Sequence, residues 1–220
     1  MSASAAEPLD VDLELVLAVD ASSSVDPGEY RLQMDGIASA FRDPRVMQAI
    51  RRGDRGRIAV AIVLWADATV PKYETGWTVV ESEADAAAFA DLAAGLPRGV
   101  VGGTGIGDGI AVAMRKFDRN GIEGARQVVD VSGDGRETPP REIVVTMPTA
   151  RSMALSRRVT INGLAILNED GELDRWYRNN VIVGRNSFVI AIDDFDDFTE
   201  AMTRKLIREI DDRPQLSLRR

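Results

Sequence analysis

Short, mostly apolar runs alternate along the chain with longer segments in which apolar residues recur every three or four positions. The first run covers residues 13–19, is apolar at nearly every position and is followed directly by Asp20. Such a run is typical of a strand that is buried on both faces of a parallel sheet. The same pattern predicts further strands at 57–65, 127–131, 160–167 and 187–192.

The segments between these runs predict helices. Asp26 is a favourable N-cap and Pro27 fits a first helical position, so a helix is expected from Pro27. It should weaken at Asp43-Pro44, because proline disfavours helical geometry in the residue before it. Further helices are predicted at 82–96, 107–117, 148–157, 173–179 and 195–210, the last with a clear apolar stripe.

This alternation predicts an α/β fold: a doubly wound, mainly parallel sheet with helices on both faces, in a Rossmann-like three-layer sandwich. One short antiparallel edge strand is expected at 69–73, where Pro71 is tolerated only at an edge. No composition shift or linker divides the chain. We expect one domain over residues 11–212, a disordered leader at 1–10 and a C-terminal tail at 213–220.

Composition excludes several classes of function. The chain has no His and no Cys, which removes Ser-His-Asp triads, thiol nucleophiles and zinc sites built on histidine or cysteine. Any metal must therefore be held by oxygen. A net charge of −8 argues against nucleic acid as a partner, and no apolar stretch approaches the ~18 residues of a membrane span.

The first residues bear on localisation. They lack the basic and apolar regions of a secretion signal, yet Ser2-Ala-Ser-Ala-Ala6 resembles the small-residue tail at which a signal is cleaved. A periplasmic or secreted protein is expected on this reading. A cytoplasmic protein with a short leader is the alternative, and the absence of Cys fits both compartments.

Oxygen-bearing side chains follow the predicted strands at what should be one edge of the sheet. Asp20, Ser22 and Ser24 follow the first strand, Thr104 lies in the glycine-rich loop before the 107–117 helix, and Asp134 follows the strand at 127–131. Ligands of open α/β sheets collect at this edge. The Asp-x-Ser-x-Ser spacing lets alternate residues of an extended chain point the same way.

The set contains two carboxylates and three hydroxyls. Such a set suits a six-coordinate divalent cation, with Mg²⁺ favoured and Mn²⁺ or Ca²⁺ as alternatives. Two carboxylates neutralise the ion while hydroxyls leave it electron-poor, so an exchangeable position would favour an anionic ligand. The purely structural interpretation is that the three hydroxyls only satisfy backbone groups.

In order and loop position, these residues resemble the metal-ion-dependent adhesion site (MIDAS) of von Willebrand factor type A (vWA) domains. The resemblance implies that Ser22, Ser24 and Thr104 bind the ion directly, that Asp20 and Asp134 act through water, and that a partner protein's carboxylate completes the shell. It also implies that the 195–210 helix shifts on binding.

Many vWA domains have Thr-Asp-Gly where this chain has Ser132-Gly-Asp134, so Asp130 is an alternative third-loop carboxylate. Asp130 lies within the apolar run and is expected to bond neighbouring backbone.

Within that superfamily the chain resembles a bacterial group of uncharacterised, exported proteins, a domain-of-unknown-function family. The similar stretches are 12–20, 130–135, 176–182 and 205–210.

The resulting hypothesis is a non-enzymatic module that binds an acidic group on a protein partner through a divalent cation; the sequence does not set its oligomeric state. A metal-assisted hydrolase or phosphotransferase with Asp20 as nucleophile is the second hypothesis, although Ser22 stands where such enzymes usually have a second aspartate. A structural domain without metal is the third.

Overall fold

A computed structural model describes residues 7–138 and 144–211. Its strands are β1 (Leu9–Val11), β2 (Leu13–Asp20), β3 (Ile58–Trp65), β4 (Tyr73–Glu74), β5 (Thr78–Val80), β6 (Ile122–Gly124), β7 (Gln127–Gly133), β8 (Thr160–Ile166) and β9 (Val189–Ile192). Its α-helices are α1 (Pro27–Arg42), α2 (Pro44–Arg51), α3 (Glu83–Gly95), α4 (Ile106–Arg115), α5 (Met147–Arg157), α6 (Leu173–Asn180) and α7 (Phe198–Ile210).

The central sheet has the strand order β4-β3-β2-β7-β8-β9, and β5 also pairs with β3. The pairs β2–β3, β2–β7, β7–β8 and β8–β9 are parallel, whereas β4 and β5 run antiparallel to β3. The predicted α/β fold with a mainly parallel sheet is therefore confirmed. Because β3, β2 and β7 are adjacent and parallel, the loops that follow these three strands lie at the same edge of the sheet.

Two apolar layers cover the sheet. Alternate residues of β2 face opposite layers: Leu15 and Leu17 pack with α1, α2, α3 and α7, whereas Val16 and Ala18 pack with α4, α5 and α6. Every residue of β2 and β3 is buried. Strands covered on both faces need apolar residues at nearly all positions, which is the pattern from which they were predicted.

The capping residues set the predicted helix boundaries. Asp26 accepts a hydrogen bond from the Glu29 backbone N–H, and Glu29 reaches back to the Asp26 N–H, which forms a capping box at the start of α1. The helix ends at Arg42, and α2 begins at Pro44 with Asp43 as its cap. Residues 195–197, predicted as part of the last helix, form a 3₁₀ turn ahead of α7.

The edge strand predicted at 69–73 is misplaced. The antiparallel pairing uses Tyr73–Glu74 and Thr78–Val80 instead. The preceding residues form a turn because the Lys72 ammonium group donates to the carbonyl oxygens of Asp67 (2.7 Å) and Val70 (2.8 Å), which requires a folded backbone. Residue spacing alone does not reveal that contact.

The sequence pattern also missed a small second sheet, in which β1 pairs in parallel with β6. Leu9 and Asp10, assigned to the leader, therefore lie in a strand that directly precedes β2. Each of the two strands has only three residues, too few for a periodic signal. The rest of the predicted leader, up to residue 6, and the tail at 213–220 lie outside the described residues.

Candidate metal centre

The site lies where β2 and β7 end. Asp20 is the last residue of β2 and Asp134 directly follows β7, so parallel pairing of these strands brings their ends to the same edge. Both side chains are buried, as is Ser22, while Ser24 and Thr104 are partly exposed. The predicted residues therefore lie at the carboxyl ends of the strands, with the two carboxylates buried and the Ser24 and Thr104 side chains closer to solvent.

The loop after β2 folds back on Asp20. The Ser22 backbone N–H donates to Asp20 Oδ1 at 2.7 Å, and the Ser22 and Ser24 hydroxyl oxygens are 3.1 Å apart. The Asp20 carboxylate and the two serine hydroxyls therefore lie together, but residues 22–25 form a turn rather than the extended chain assumed in the interpretation of the Asp-x-Ser-x-Ser spacing. Ser23, between the two serines, is exposed, and its N–H donates to the Gly102 carbonyl oxygen at 2.8 Å.

A direct hydrogen bond joins the first loop to the loop after β7. The Ser24 hydroxyl donates to Asp134 Oδ1 at 2.7 Å. Asp20, Ser22, Ser24 and Asp134 therefore form one continuous cluster. Asp134, rather than Asp130, is the carboxylate that the third loop brings to it.

Thr104 approaches the same cluster from the second loop. A Cβ placed on Gly135 would lie 3.7 Å from Thr104 Oγ1, so this hydroxyl stands beside the residue that follows Asp134. The loop is held by two hydrogen bonds with Thr138, one from the Thr138 N–H to the Thr104 carbonyl (2.8 Å) and one from the Thr104 N–H to Thr138 Oγ1 (3.0 Å). Within the described residues, the Thr104 hydroxyl has no hydrogen-bond partner of its own.

The electrostatics of the two carboxylates are unfavourable without a cation. Burial, followed by repulsion from Asp134, raises the pKa of Asp20 to about 7, although hydrogen bonds from Ser22 act in the opposite direction. Burial also raises the pKa of Asp134, against the effect of its hydrogen bond from Ser24. Ionised carboxylates buried this way are costly unless paired or bound to a metal.

Two oxygens of the cluster have no donor. Asp20 Oδ2 and Asp134 Oδ2 are both buried and accept no hydrogen bond from any described group. Buried polar atoms are nearly always paired, so an orphaned oxygen on each carboxylate is consistent with a missing cation. In the described part of the chain no three acidic side chains converge to hold a metal ion. A cation here would depend on two carboxylates and three hydroxyls, a donor set that fits a hard divalent ion.

Gln33 and Arg98, which were not predicted from the sequence, position the first loop. Gln33 Nε2 donates to the Asp20 carbonyl oxygen at 3.0 Å, and the Arg98 guanidinium donates to the carbonyl oxygens of Ala21 and Ser22. Gln33 is fully buried on α1, three residues after the buried Tyr30. The position of the polar Gln33 among buried residues of α1 could have indicated this role from the sequence. No sequence pattern indicated the role of Arg98.

The expectation that Asp130 bonds backbone is wrong. Asp130 forms an ion pair with the buried Lys205 of α7, and both side chains are inaccessible to solvent. It faces the layer opposite to that of Val129 and Val131, in the interior of the sheet rather than at its edge. Asp130 is therefore not available to the cluster around Asp20.

Solved structures with a similar fold include vWA domains. Proximal thread matrix protein 1 of the mussel byssus, in a structure with a zinc-occupied MIDAS motif, superposes with a TM-score of 0.63 at 19% identity, covering 91% of this chain and 46% of its own. The pilus adhesin SpaC of Lactobacillus rhamnosus GG gives 0.63 at 14% identity, covering 94% and 30%. The SpRpn10 VWA domain gives 0.53 at 15% identity, covering 90% and 97%. The chain thus spans about half of the mussel protein's length, and these likenesses show the fold.

Sequence comparison gives one family. The profile described as "Protein of unknown function (DUF1194)" matches residues 10–214, nearly the whole chain. Among curated proteins, none matches.

Proposed function

The chain belongs to the DUF1194 family and has a vWA-like fold, and we propose that it is a non-enzymatic binding module that recognises an acidic group on a protein partner through a divalent cation. Asp20, Ser22, Ser24, Thr104 and Asp134 would hold the cation. Mg²⁺ is the favoured ion because the donors are all hard oxygens and two of the five are carboxylates.

One observation carries this proposal: Asp20 Oδ2 and Asp134 Oδ2 are buried, close to an open edge of the sheet, and without a donor. Glu209 Oε2 is likewise buried without a donor, but the Lys205 ammonium group pairs with that carboxylate. Asp20 and Asp134 form no ion pair with a described residue, so a purely structural role leaves their buried charge uncompensated. The zinc-occupied MIDAS motif of the mussel protein, on a similar fold, supports a divalent cation in general.

The preference for an acidic partner follows from charge. Two carboxylates balance a divalent ion, and the hydroxyl ligands add no further negative charge. Ser24 and Thr104 are partly exposed, so the cation would face solvent on their side and could accept one more ligand. A carboxylate supplied by another protein is the hard anionic oxygen ligand that such a position prefers.

Metal binding is tested first, by isothermal titration calorimetry of the full chain with Mg²⁺, Mn²⁺ and Ca²⁺. The titration should release or absorb heat, and a separate thermal unfolding experiment should show that the ion raises the melting temperature. Both responses are expected for the natural chain and for the matched control Asp35→Ala, which removes an exposed carboxylate on α1. Asp20→Ala should lose both responses while circular dichroism shows a folded chain. No response to any of the three ions, or an unchanged response in Asp20→Ala, would overturn the proposal in favour of the structural interpretation.

Acid recognition is tested on the manganese-loaded chain with the tripeptide Gly-Glu-Gly and its neutral counterpart Gly-Gln-Gly as probes. Displacement of metal-bound water by the acidic peptide lowers the paramagnetic relaxation of water protons, and the amide peptide should have no such effect. Equal effects of the two peptides would contradict acid recognition. Magnesium-dependent turnover of phosphate or ester substrates would favour the hydrolase hypothesis instead.

A further inference from the structure

A cleft of about 990 Å³ opens at the edge of the sheet opposite to the candidate metal centre. The first residues of β7 and β8 line it, together with the loop at 185–188 and the C-terminal half of α7. Its floor is formed by the buried side chains of Val128, Asn162 and Phe188. Asp134 follows the other end of β7, and Asp20 ends the neighbouring parallel strand β2, so the cleft is separate from the metal centre.

Four exposed arginines surround this cleft: Arg158, Arg185, Arg204 and Arg208. None of the four forms an ion pair with a described residue. The Arg208 guanidinium stacks over the Phe188 ring, 3.8 Å from its centroid, which holds one of the positive charges against the floor of the cleft. A concentration of unpaired positive charge is unexpected on a chain whose net charge is −8.

The acidic groups at the cleft are already engaged. Asp211 pairs with Arg52 at 3.5 Å, and Glu209 accepts hydrogen bonds from Lys205 and Asn162 beneath the floor. A fifth arginine, Arg126, donates to the carbonyl oxygens of Glu209 and Ile210 and holds the end of α7. Arg204 also lines a small neighbouring pocket with Asp193, Asp197 and Glu200 but forms no ion pair with them. Among the described residues, the four exposed guanidinium groups therefore have donors available for a ligand.

We propose that this arginine cleft binds a small soluble ligand that carries several phosphate groups. Guanidinium groups donate paired hydrogen bonds to phosphate or carboxylate oxygens in a fixed fork. The cleft has the volume of a typical ligand site, roughly 300–1,000 Å³. This inference is independent of the function proposed for the metal centre.

The arrangement of the arginines favours phosphate over a single carboxylate. The four side chains come from three separate segments: the end of α5, the 185–188 loop and α7. They therefore approach the cleft from different directions. A carboxylate has two coplanar oxygens and matches one guanidinium, whereas linked phosphates present oxygens in several directions and carry up to about two charges per terminal group.

The probe for this proposal is sodium tripolyphosphate, titrated calorimetrically into the full 220-residue chain in buffer freed of divalent cations on a chelating resin. Arg185→Glu and Arg204→Glu are the test variants. Arg115→Glu is the matched control, because Arg115 is also exposed, helical and without an ion pair to a described residue, but lies outside the cleft. Citrate serves as a carboxylate ligand of similar charge.

Tripolyphosphate is expected to bind the natural chain, and each test variant should weaken binding at least about tenfold, as the loss of a charge-assisted hydrogen bond implies. Arg115→Glu should change the affinity by less than about twofold, since exposed charges at a distance are screened. Absence of binding, or equal weakening by Arg115→Glu and Arg204→Glu, would overturn the proposal. Tighter binding of citrate than of tripolyphosphate would overturn the choice of phosphate. A failed metal titration would leave these results unaffected, so the two proposals fail separately.

Discussion

The Lys205 ammonium group on α7 lies against the Asp130 carboxylate in the middle of β7, and neither side chain reaches solvent. The same ammonium group donates to Glu209 Oε1 at 2.8 Å, one turn further along the helix. One positive charge thus holds two carboxylates in the interior. This buried triad fastens α7 to the centre of the sheet.

Lys205→Met should destabilise the chain by about 3–5 kcal/mol, because it leaves two carboxylates buried without their cation. Urea denaturation followed by circular dichroism measures the loss. Arg204→Met is the control, since Arg204 is the exposed neighbour on the same helix and should change the unfolding free energy by no more than about 0.5 kcal/mol. Similar losses in the two variants would contradict a special role for the triad.

The triad also bears on the movement of α7 that the vWA resemblance implies. If α7 shifts when a partner binds, Lys205 must move with it or leave Asp130, and either event requires rearrangement in the core. The movement stays a prediction. Superposable metal-free and partner-bound structures would refute it.

Stability should depend on pH through Glu209. Burial and the Asp130 carboxylate raise its pKa from 4.5 to about 7, while Lys205 and the Asn162 amide act in the opposite direction. The folded chain therefore binds more protons at Glu209 than the unfolded chain does between these pH values. The contribution of Glu209 to the unfolding free energy should accordingly fall as the pH rises from about 4.5 to about 7 and stay low above that.

The measurement is the difference in unfolding free energy between the natural chain and Glu209→Gln, taken across that pH range, so that contributions of other groups cancel. The neutral amide cannot ionise, and the variant should gain stability relative to the natural chain as the pH rises. A difference that is constant with pH would show that Glu209 keeps the same pKa in the folded and unfolded chain.

The stability of metal-free Asp20→Asn distinguishes the two interpretations of the cluster, a metal centre and a purely structural arrangement. Above about pH 7 the Asp20 carboxylate is ionised, buried and repelled by Asp134. Its neutral isostere still accepts the Ser22 N–H, so we expect the metal-free variant to be more stable by about 1–2 kcal/mol. Thermal unfolding with and without Mg²⁺ should also show that the variant loses the stabilisation by the ion. A variant less stable than the natural chain in both conditions would indicate a structural aspartate.

The parts of the fold that were predictable are those that local chemistry determines. Buried parallel strands such as β2 and β3 need long apolar runs, and the Asp26 cap lies beside the helix that it begins. The candidate metal residues could be found because each follows a strand and because parallel strands end together. The strand pair β1–β6 could not be found, since three residues carry no usable period.

Long-range polar contacts account for the remaining errors. Asp130 was expected to bond backbone because its partner Lys205 lies in a helix far along the chain, and local sequence does not indicate that contact. The arginine cleft was invisible for the same reason, since its four arginines come from segments that are adjacent only after folding. Charge patterns within one segment do not report such partners.

Gly133 sets how closely the end of β7 can approach Asp20, and it offers a test of the centre's packing. A Cβ at this position would lie 2.8 Å from Asp20 Oδ2 and 2.8 Å from the Tyr177 hydroxyl oxygen, both within the buried interior. Gly133→Ala should therefore push the Asp20 carboxylate from its place, cost about 1–3 kcal/mol in unfolding free energy and weaken stabilisation by Mg²⁺. Gly95→Ala is the control, because a Cβ there meets nothing within 4 Å; at the end of α3 it should be neutral or stabilise by up to about 1 kcal/mol. Full stabilisation by Mg²⁺ in Gly133→Ala would mean that the ion does not depend on the observed position of Asp20.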